Sequence, residues 1–282
     1  MLNELNLSPA AAEQVATSIR DGVVTVQMNR PDKLNGWTQE MILAFKEAFG
    51  KACQTDSIKV IIFTGSGKYY SAGANLAGTV QVMHPKKLHQ MIVEANQALF
   101  DTFLDCSKPI LVAVNGPALG ASVTSAALCQ GIIASPQATF STPFRALGIT
   151  PEGCSTVQFP RLMGQVNADR MLGDEGWKPT ATEALEAGLV QWVVPHEQLM
   201  EKAQEIAQHW IAAGATKKFL KGSQLEELKA ANASESMALA DAFLGADFLR
   251  GQGRFLWKKN KRVPAAMFYS LWALRPLWGR LL

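Results

Sequence analysis

The chain has 282 residues, of which 48% are hydrophobic and 18% charged, enough to bury one large domain, or a core with a smaller appendage, without a disulfide or metal staple. Its net charge of +3 is small and spread out, which excludes nucleic acid as an implied partner and leaves room only for a local basic patch. Residues 1–20 lack a basic start followed by an apolar core, so no secretory signal is expected. Cys53, Cys106, Cys129 and Cys154 fall in unrelated predicted elements without a CxxC pair, the usage of reduced thiols in a cytosol or organelle matrix. The final residues are not a Ser-Lys-Leu peroxisomal address.

In chain order, residues 1–13 read as a loose leader. Val15–Ile19 and Val23–Met28 flank Asp21-Gly22, the signal of a hairpin turn. A loop with Pro31 leads to Thr38, which can cap a helix from Gln39 to about Gln54 with Met41, Ile42, Phe45, Ala48, Phe49 and Ala52 on one face. A strand, Ile58–Thr64, follows. Pro85–Cys106 reads as a long helix with Leu88, Ile92, Ala95, Leu99 and Phe103 apolar. Ile110–Val114 is strand-like, a helix runs to about Cys129, and Ile132–Ser135 forms another strand. Thr139–Ser141 pairs briefly, Leu147–Gly153 is a broken loop, and Leu189–Val194 is the last buried strand. From His196 to Arg262 the pattern is helical. This alternation argues for α/β layers, and no sequence repeat points to a solenoid.

Two strand ends carry Gly-rich turns. Gly65–Leu76 follows the strand ending at Thr64, and Asn115-Gly116-Pro117-Ala118-Leu119-Gly120-Ala121 follows the strand ending at Val114. Each reads alone as an ordinary crossover; both directed at one substrate oxygen would make an oxyanion hole.

Asn29-Arg30-Pro31-Asp32-Lys33-Leu34-Asn35, Tyr70-Ser71-Ala72-Gly73-Ala74-Asn75-Leu76, Lys108 through Gly120, and Ala138 through Gly148 together resemble the crotonase, or enoyl-CoA hydratase/isomerase, superfamily from about Ile19 to Arg262. The resemblance implies a spiral of repeated β-β-α units with a C-terminal helical region. Residues 1–200 would be the core with the acyl-CoA site, 201–262 an oligomerisation region, and 263–282 an apolar, aromatic extension. It implies an acyl-CoA thioester substrate, a homotrimer or dimer of trimers, and no cofactor beyond the CoA of the substrate. The oxyanion donors would be the N–H groups of Ala74 and Ala121, each following a glycine, Gly73 or Gly120.

Hydratases of the family carry two glutamates. Thr124 and Phe144 occupy those positions here, a side chain far too weakly basic and one with no proton to exchange, which argues against hydration. One carboxylate stands in the right loop, Glu152. The run Thr142-Pro143-Phe144 through Leu147-Gly148 and Pro151–Ser155 resembles the peroxisomal-type Δ3-Δ2-enoyl-CoA isomerase branch, in which that glutamate is the base that carries a proton from C2 to C4 during fatty acid β-oxidation. The plainer account of Glu152 is a loop carboxylate capping the next helix. Apolar walls from Phe144, Leu147 and Ile149 would raise its pKa toward neutrality. Asn96 lies where related isomerases place an amide. Lys33, Ala72 and the residues about Asn35 match positions that bind CoA, with Lys258 a further basic candidate. Asn75 stands where many relatives have Asp, and Gln130-Gly131 replaces a common acidic residue.

Other readings compete. Gly120–Thr124 nearly spells a nucleophile elbow but lacks its last glycine. His84 and His89 are spaced wrongly for a shared helix face, so no metal site is expected. A CoA-binding module without turnover is the alternative from another class. For residues 263–282, packing on its own or a neighbouring subunit competes with lying on a membrane surface.

Overall fold

The computed structural model describes residues 4–74 and 83–282. Asn75 and Leu76, named in the sequence argument, lie outside the described residues.

The chain opens with helix α1 (Pro9–Ala12), then strands β1 (Val15–Arg20) and β2 (Val23–Met28) pair antiparallel around Asp21 and Gly22, both at positive φ as a type I′ turn requires. Helix α2 (Gln39–Gln54) starts where Thr38 accepts the N–H of Met41. Strand β3 (Val60–Gly65), helix α3 (Pro85–Leu104) and strand β4 (Ile110–Val114) follow. Next come β5 (Ala118–Leu119), α4 (Ala121–Ala126), β6 (Gly131–Ala134), β7 (Phe140–Ser141), α5 (Phe144–Leu147), α6 (Ser155–Leu172), α7 (Ala181–Ala187) and β8 (Trp192–Val193). The chain closes with helices α8 (Leu199–Ala212), α9 (Leu225–Phe243), α10 (Ala246–Lys258) and α11 (Arg262–Trp278).

The main sheet has the order β1-β2-β3-β4-β6-β8, parallel from β2 onward; β5 and β7 form a small parallel sheet beside it. Strand alternation divides the interior between its faces. Val23, Val60, Ile62, Leu111 and Ile133 meet Leu199, Ala203 and Ala207 of α8. Ile61 and Phe63 turn instead to Trp37, Phe45, Phe49 and Phe103 of the α2 and α3 layer. A separate cluster joins Leu88 and Ile92 of α3 to Phe144, Ile149, Phe243, Phe248 and Phe268, and it carries the C-terminal helices.

Several expectations need correction. The leader is packed over its described part: Leu5 and Ala11 are buried, and Ser8 bonds Glu47 while capping α1. Helix α3 stops at Leu104, and its buried face holds Asn96 while Ala95 is exposed, because the face drifts by one position from the expected stripe. In the last strand only Trp192 and Val193 pair; Leu189 and Val190 are buried in the approach to it. No correction falls on the extension, for which packing is one of the two readings: residues 262–278 form a helix lying along α10, with Ala265 and Phe268 buried and the Arg275 guanidinium donating to the Leu244 carbonyl. Among the described residues no helix is long and apolar enough to cross a membrane.

Candidate active site

The two Gly-rich turns meet through backbone pairing. Residues 71–74 run between the loop after β2 and strand β5: Trp37 N donates to Gly73 O at 2.8 Å, Ala72 N to Leu34 O at 2.9 Å, and Leu119 N to Ser71 O at 3.0 Å. Ser71 pairs in parallel with Ala118; three residues farther on, Ala74 pairs with Trp37 and Ala121 opens α4. Gly73 is required by the close approach: at φ +77 an added Cβ would fall 2.5 Å from the Leu119 carbonyl oxygen. Gly120, at φ +56, donates to Ser141 O, and among the described residues nothing lies within 4 Å of where its Cβ would be. Neither Ala74 nor Ala121 finds an acceptor for its N–H among the described residues.

Two asparagines, each followed by a glycine, hold the loop beneath. Asn35 Nδ2 donates to Ser66 O and Tyr69 O, while its Oδ1 accepts from Arg30 N. Asn115 Nδ2 donates to Gly67 O and Tyr69 O. Their amides replace the regular ladder that a loop lacks.

Glu152 lies in the loop between α5 and α6 and is 8% exposed. Its neighbour Gly153 packs so tightly that a Cβ there would meet Thr124 Oγ1 at 2.6 Å and the Phe100 ring at 2.4 Å. The loop is thereby pressed on α4, one turn past Ala121. No hydrogen bond reaches the Glu152 carboxyl from the described residues. Burial pushes its pKa up to about 8, with the negative charge of Glu235 adding to the effect. Glu152 does not cap α6; a residue of α9 does, as Thr156 N donates to Glu235 Oε1 at 2.9 Å.

The remaining candidates are distributed unevenly. Phe144 and Ile149 are buried in the cluster shared with the C-terminal helices, and Leu147 beside them is 37% exposed. Ala72 is half-buried in the first turn. Lys33 lies in a 3₁₀ turn joined to that segment through Leu34, with its ammonium in solvent 3.9 Å from Asp32. Lys258 is exposed at the end of α10. Asn96 is buried on α3, where its Nδ2 donates to Ser236 Oγ at 2.9 Å.

Sequence reasoning missed two groups. Glu235 sits on α9 among Asn232 and Ser236, and that polar stripe at helical spacing interrupting the apolar face of Leu228 and Leu239 was the available signal. Cys53 and Cys106 were placed in unrelated elements, yet their sulfurs lie 3.1 Å apart because the ends of α2 and α3 pack side by side. Spacing in sequence carries no trace of that contact. Among the described residues no cluster of side chains suits a metal ion.

Comparison with known proteins adds to the geometry. A family model described as Enoyl-CoA hydratase/isomerase matches residues 18–262. Enoyl-CoA delta isomerase 2 of Homo sapiens is 33% identical over 258 residues, which cover 88% of this chain and 64% of that protein. The chain therefore spans a little less than two thirds of that relative. Enoyl-CoA delta isomerase 3, peroxisomal, of Mus musculus is 31% identical over 258 residues, covering 89% and 80%. Among solved structures, an enoyl-CoA hydratase/isomerase from Pseudoalteromonas atlantica T6c superposes with a TM-score of 0.72 at 26% identity, over 87% of this chain and 97% of that one.

Proposed function

This chain belongs to the enoyl-CoA hydratase/isomerase family, the crotonase superfamily, and from that premise we propose that it is a Δ3-Δ2-enoyl-CoA isomerase. The observation that carries the reading is a single carboxyl, Glu152, buried beside α4 with a proton affinity near neutrality, while the two hydratase positions hold Thr124 and Phe144. Hydration needs a second acid/base group to handle water; a double-bond shift does not.

In this mechanism the thioester oxygen of a 3-enoyl-CoA accepts the N–H groups of Ala74 and Ala121. The Glu152 carboxylate removes a proton from C2, the electron pair delocalises over a dienolate, and the two amides hold the charge that reaches the oxygen. Each donor is worth about 2.7–4 kcal/mol in such a transition state. The now neutral Glu152 returns the same proton to C4 on the same face, and a 2-trans-enoyl-CoA leaves. Asn96 supports the thioester side. Ala72, Gly73 and Gly120 frame the thioester, Phe144, Leu147 and Ile149 wall the acyl chain, and Lys33 meets the CoA phosphates.

The wider assignment follows the same reading. CoA enters as part of the substrate, with no separate cofactor. Residues 201–262 serve assembly into a homotrimer or dimer of trimers, and the reaction belongs to fatty acid β-oxidation in a cytosol or organelle matrix. The test is a direct assay with a 3-enoyl-CoA, following 2-enoyl product absorbance. Glu152→Gln is expected to lose about 10²–10⁴ in rate, and wild-type kcat/KM to fall about tenfold per pH unit below about 8, as the base takes up its proton. Full activity in Glu152→Gln would remove that residue from the mechanism. No turnover by wild type that still binds CoA would favour the module reading.

A further inference from the structure

The mechanism above uses one carboxyl, yet a second buried one bonds the first turn of the helix that follows its loop. Glu235 is 6% exposed. Its Oε1 accepts the Thr156 N–H and the Thr156 hydroxyl, and the backbone N–H groups of Cys154 and Ser155 also turn toward the carboxyl. These belong to the start of α6, where Cys154 stands as N-cap at φ 61 and gives no side-chain cap of its own. Glu235 Oε2 is buried with no partner among the described residues. A cap needs one oxygen; the second, without a donor, calls for another explanation.

We infer that Glu235 is a positioning residue for Glu152: it pins the first turn of α6, and with it the loop that carries the base, and it sets the charge beside that base. The kinetic arm of this inference rests on the isomerase reading; the electrostatic arm does not. Burial pushes the Glu235 pKa up, and the bonds from Thr156, Cys154 and Ser155 pull it back down. Glu152 has no such donors, so of the pair Glu235 carries the charge more readily and Glu152 keeps its proton longer.

The surrounding charges leave this coupling intact. Cys154 is a neutral thiol whose pKa burial raises. Asp101 of α3 and Asp105 just past its end hold Lys229 of α9 at 3.0 and 2.7 Å, and His89 meets Asp241. On α6, Arg161 is engaged by Glu227. Asp247, Arg250, Arg254 and Lys258 of α10 are exposed to solvent. Among the described residues no cation pairs with Glu152 or Glu235.

Glu235→Gln keeps an acceptor for Thr156 and removes the charge. The experiment is an NMR titration of the free protein labelled at glutamate side-chain carboxyls, with Glu152→Gln assigning the signal, beside the pH profile of kcat/KM for a 3-enoyl-CoA. The Glu152 midpoint is expected to fall by about one pH unit in Glu235→Gln, and the acid limb of kcat/KM to move down with it. Thr156→Val, which leaves Glu235 in place with fewer donors and so more readily protonated, is expected to shift the midpoint the same way by less. It also serves where Glu235→Gln fails to fold. A wild type without turnover would sink the isomerase reading and leave the midpoints to decide. An unmoved Glu152 midpoint in a folded Glu235→Gln protein would reduce Glu235 to a cap and overturn the inference.

Discussion

The single buried face of α3 is dry along its length and changes chemistry from one end to the other. Toward its C-terminal end Phe103 stacks on Trp37 at 6.2 Å and meets Phe45, Phe49 and Phe63 at 5.5–6.1 Å, a set of rings with no carboxyl among them. Two turns earlier Asn96 reaches Ser236, whose chain neighbour Glu235 has one carboxyl oxygen unpaired, and the loop of Glu152 packs on Phe100 between them. Removing water stabilises the first region, at about 25 cal/mol per Å² of apolar surface. In the second the same removal is destabilising for a charged carboxylate, and it raises the Glu152 pKa to about 8. Burial alone therefore says nothing of purpose; the groups buried decide its sign.

Substitutions should break that contrast in order of size. Phe103→Ala empties the aromatic end and is expected to lose about 3–5 kcal/mol of stability in denaturant unfolding, with the Glu152 midpoint unchanged. Gly73→Ala forces a Cβ against the Leu119 carbonyl oxygen and misplaces the neighbouring Ala74 N–H, and kcat is expected to fall about 10²–10³-fold. Glu152→Gln should act with opposite signs on rate and stability. The folded pKa of about 8 lies above the ordinary 4.5, so between these values the folded protein holds a proton that the unfolded chain has released. Wild-type stability then falls as pH rises through that window. The variant is expected to exceed wild type by on the order of 5 kcal/mol at pH 9 and to match it near pH 4, as thermal unfolding at the two values would reveal. Val263→Ser, on a residue 83% exposed, touches neither end and should stay within about 0.5 kcal/mol of wild type.

Local chemistry made some of this readable from residues alone. Asp21-Gly22 announced its hairpin, and Thr38 announced the start of α2, because a turn at positive φ and a side-chain cap are each settled within a few neighbours. The paired glycine turns were also visible, although their convergence depends on the Ser71 and Ala118 pairing, which no local pattern encodes. Leu5 and Ala11 were misread as a leader because a short apolar segment shows no period until it finds a surface. Glu235 escaped for a related reason. A carboxylate on a polar helix reads as solvated until the fold brings α6 to its side.

The two asparagine clasps beneath the Gly-rich turns bear on how the molecule ages. Asn35-Gly36 and Asn115-Gly116 are the dipeptide in which the following main-chain nitrogen most readily attacks the side-chain amide and expels ammonia. Here each amide nitrogen is engaged by two carbonyls, which holds the side chain away from that attack. Deamidation at either site should therefore wait for unfolding, with a one-dalton mass gain accumulating in denaturant and not in native storage. An Asp at position 35 or 115 would set a carboxylate against carbonyl oxygens, so a chain once damaged there would be slow to regain its native loop.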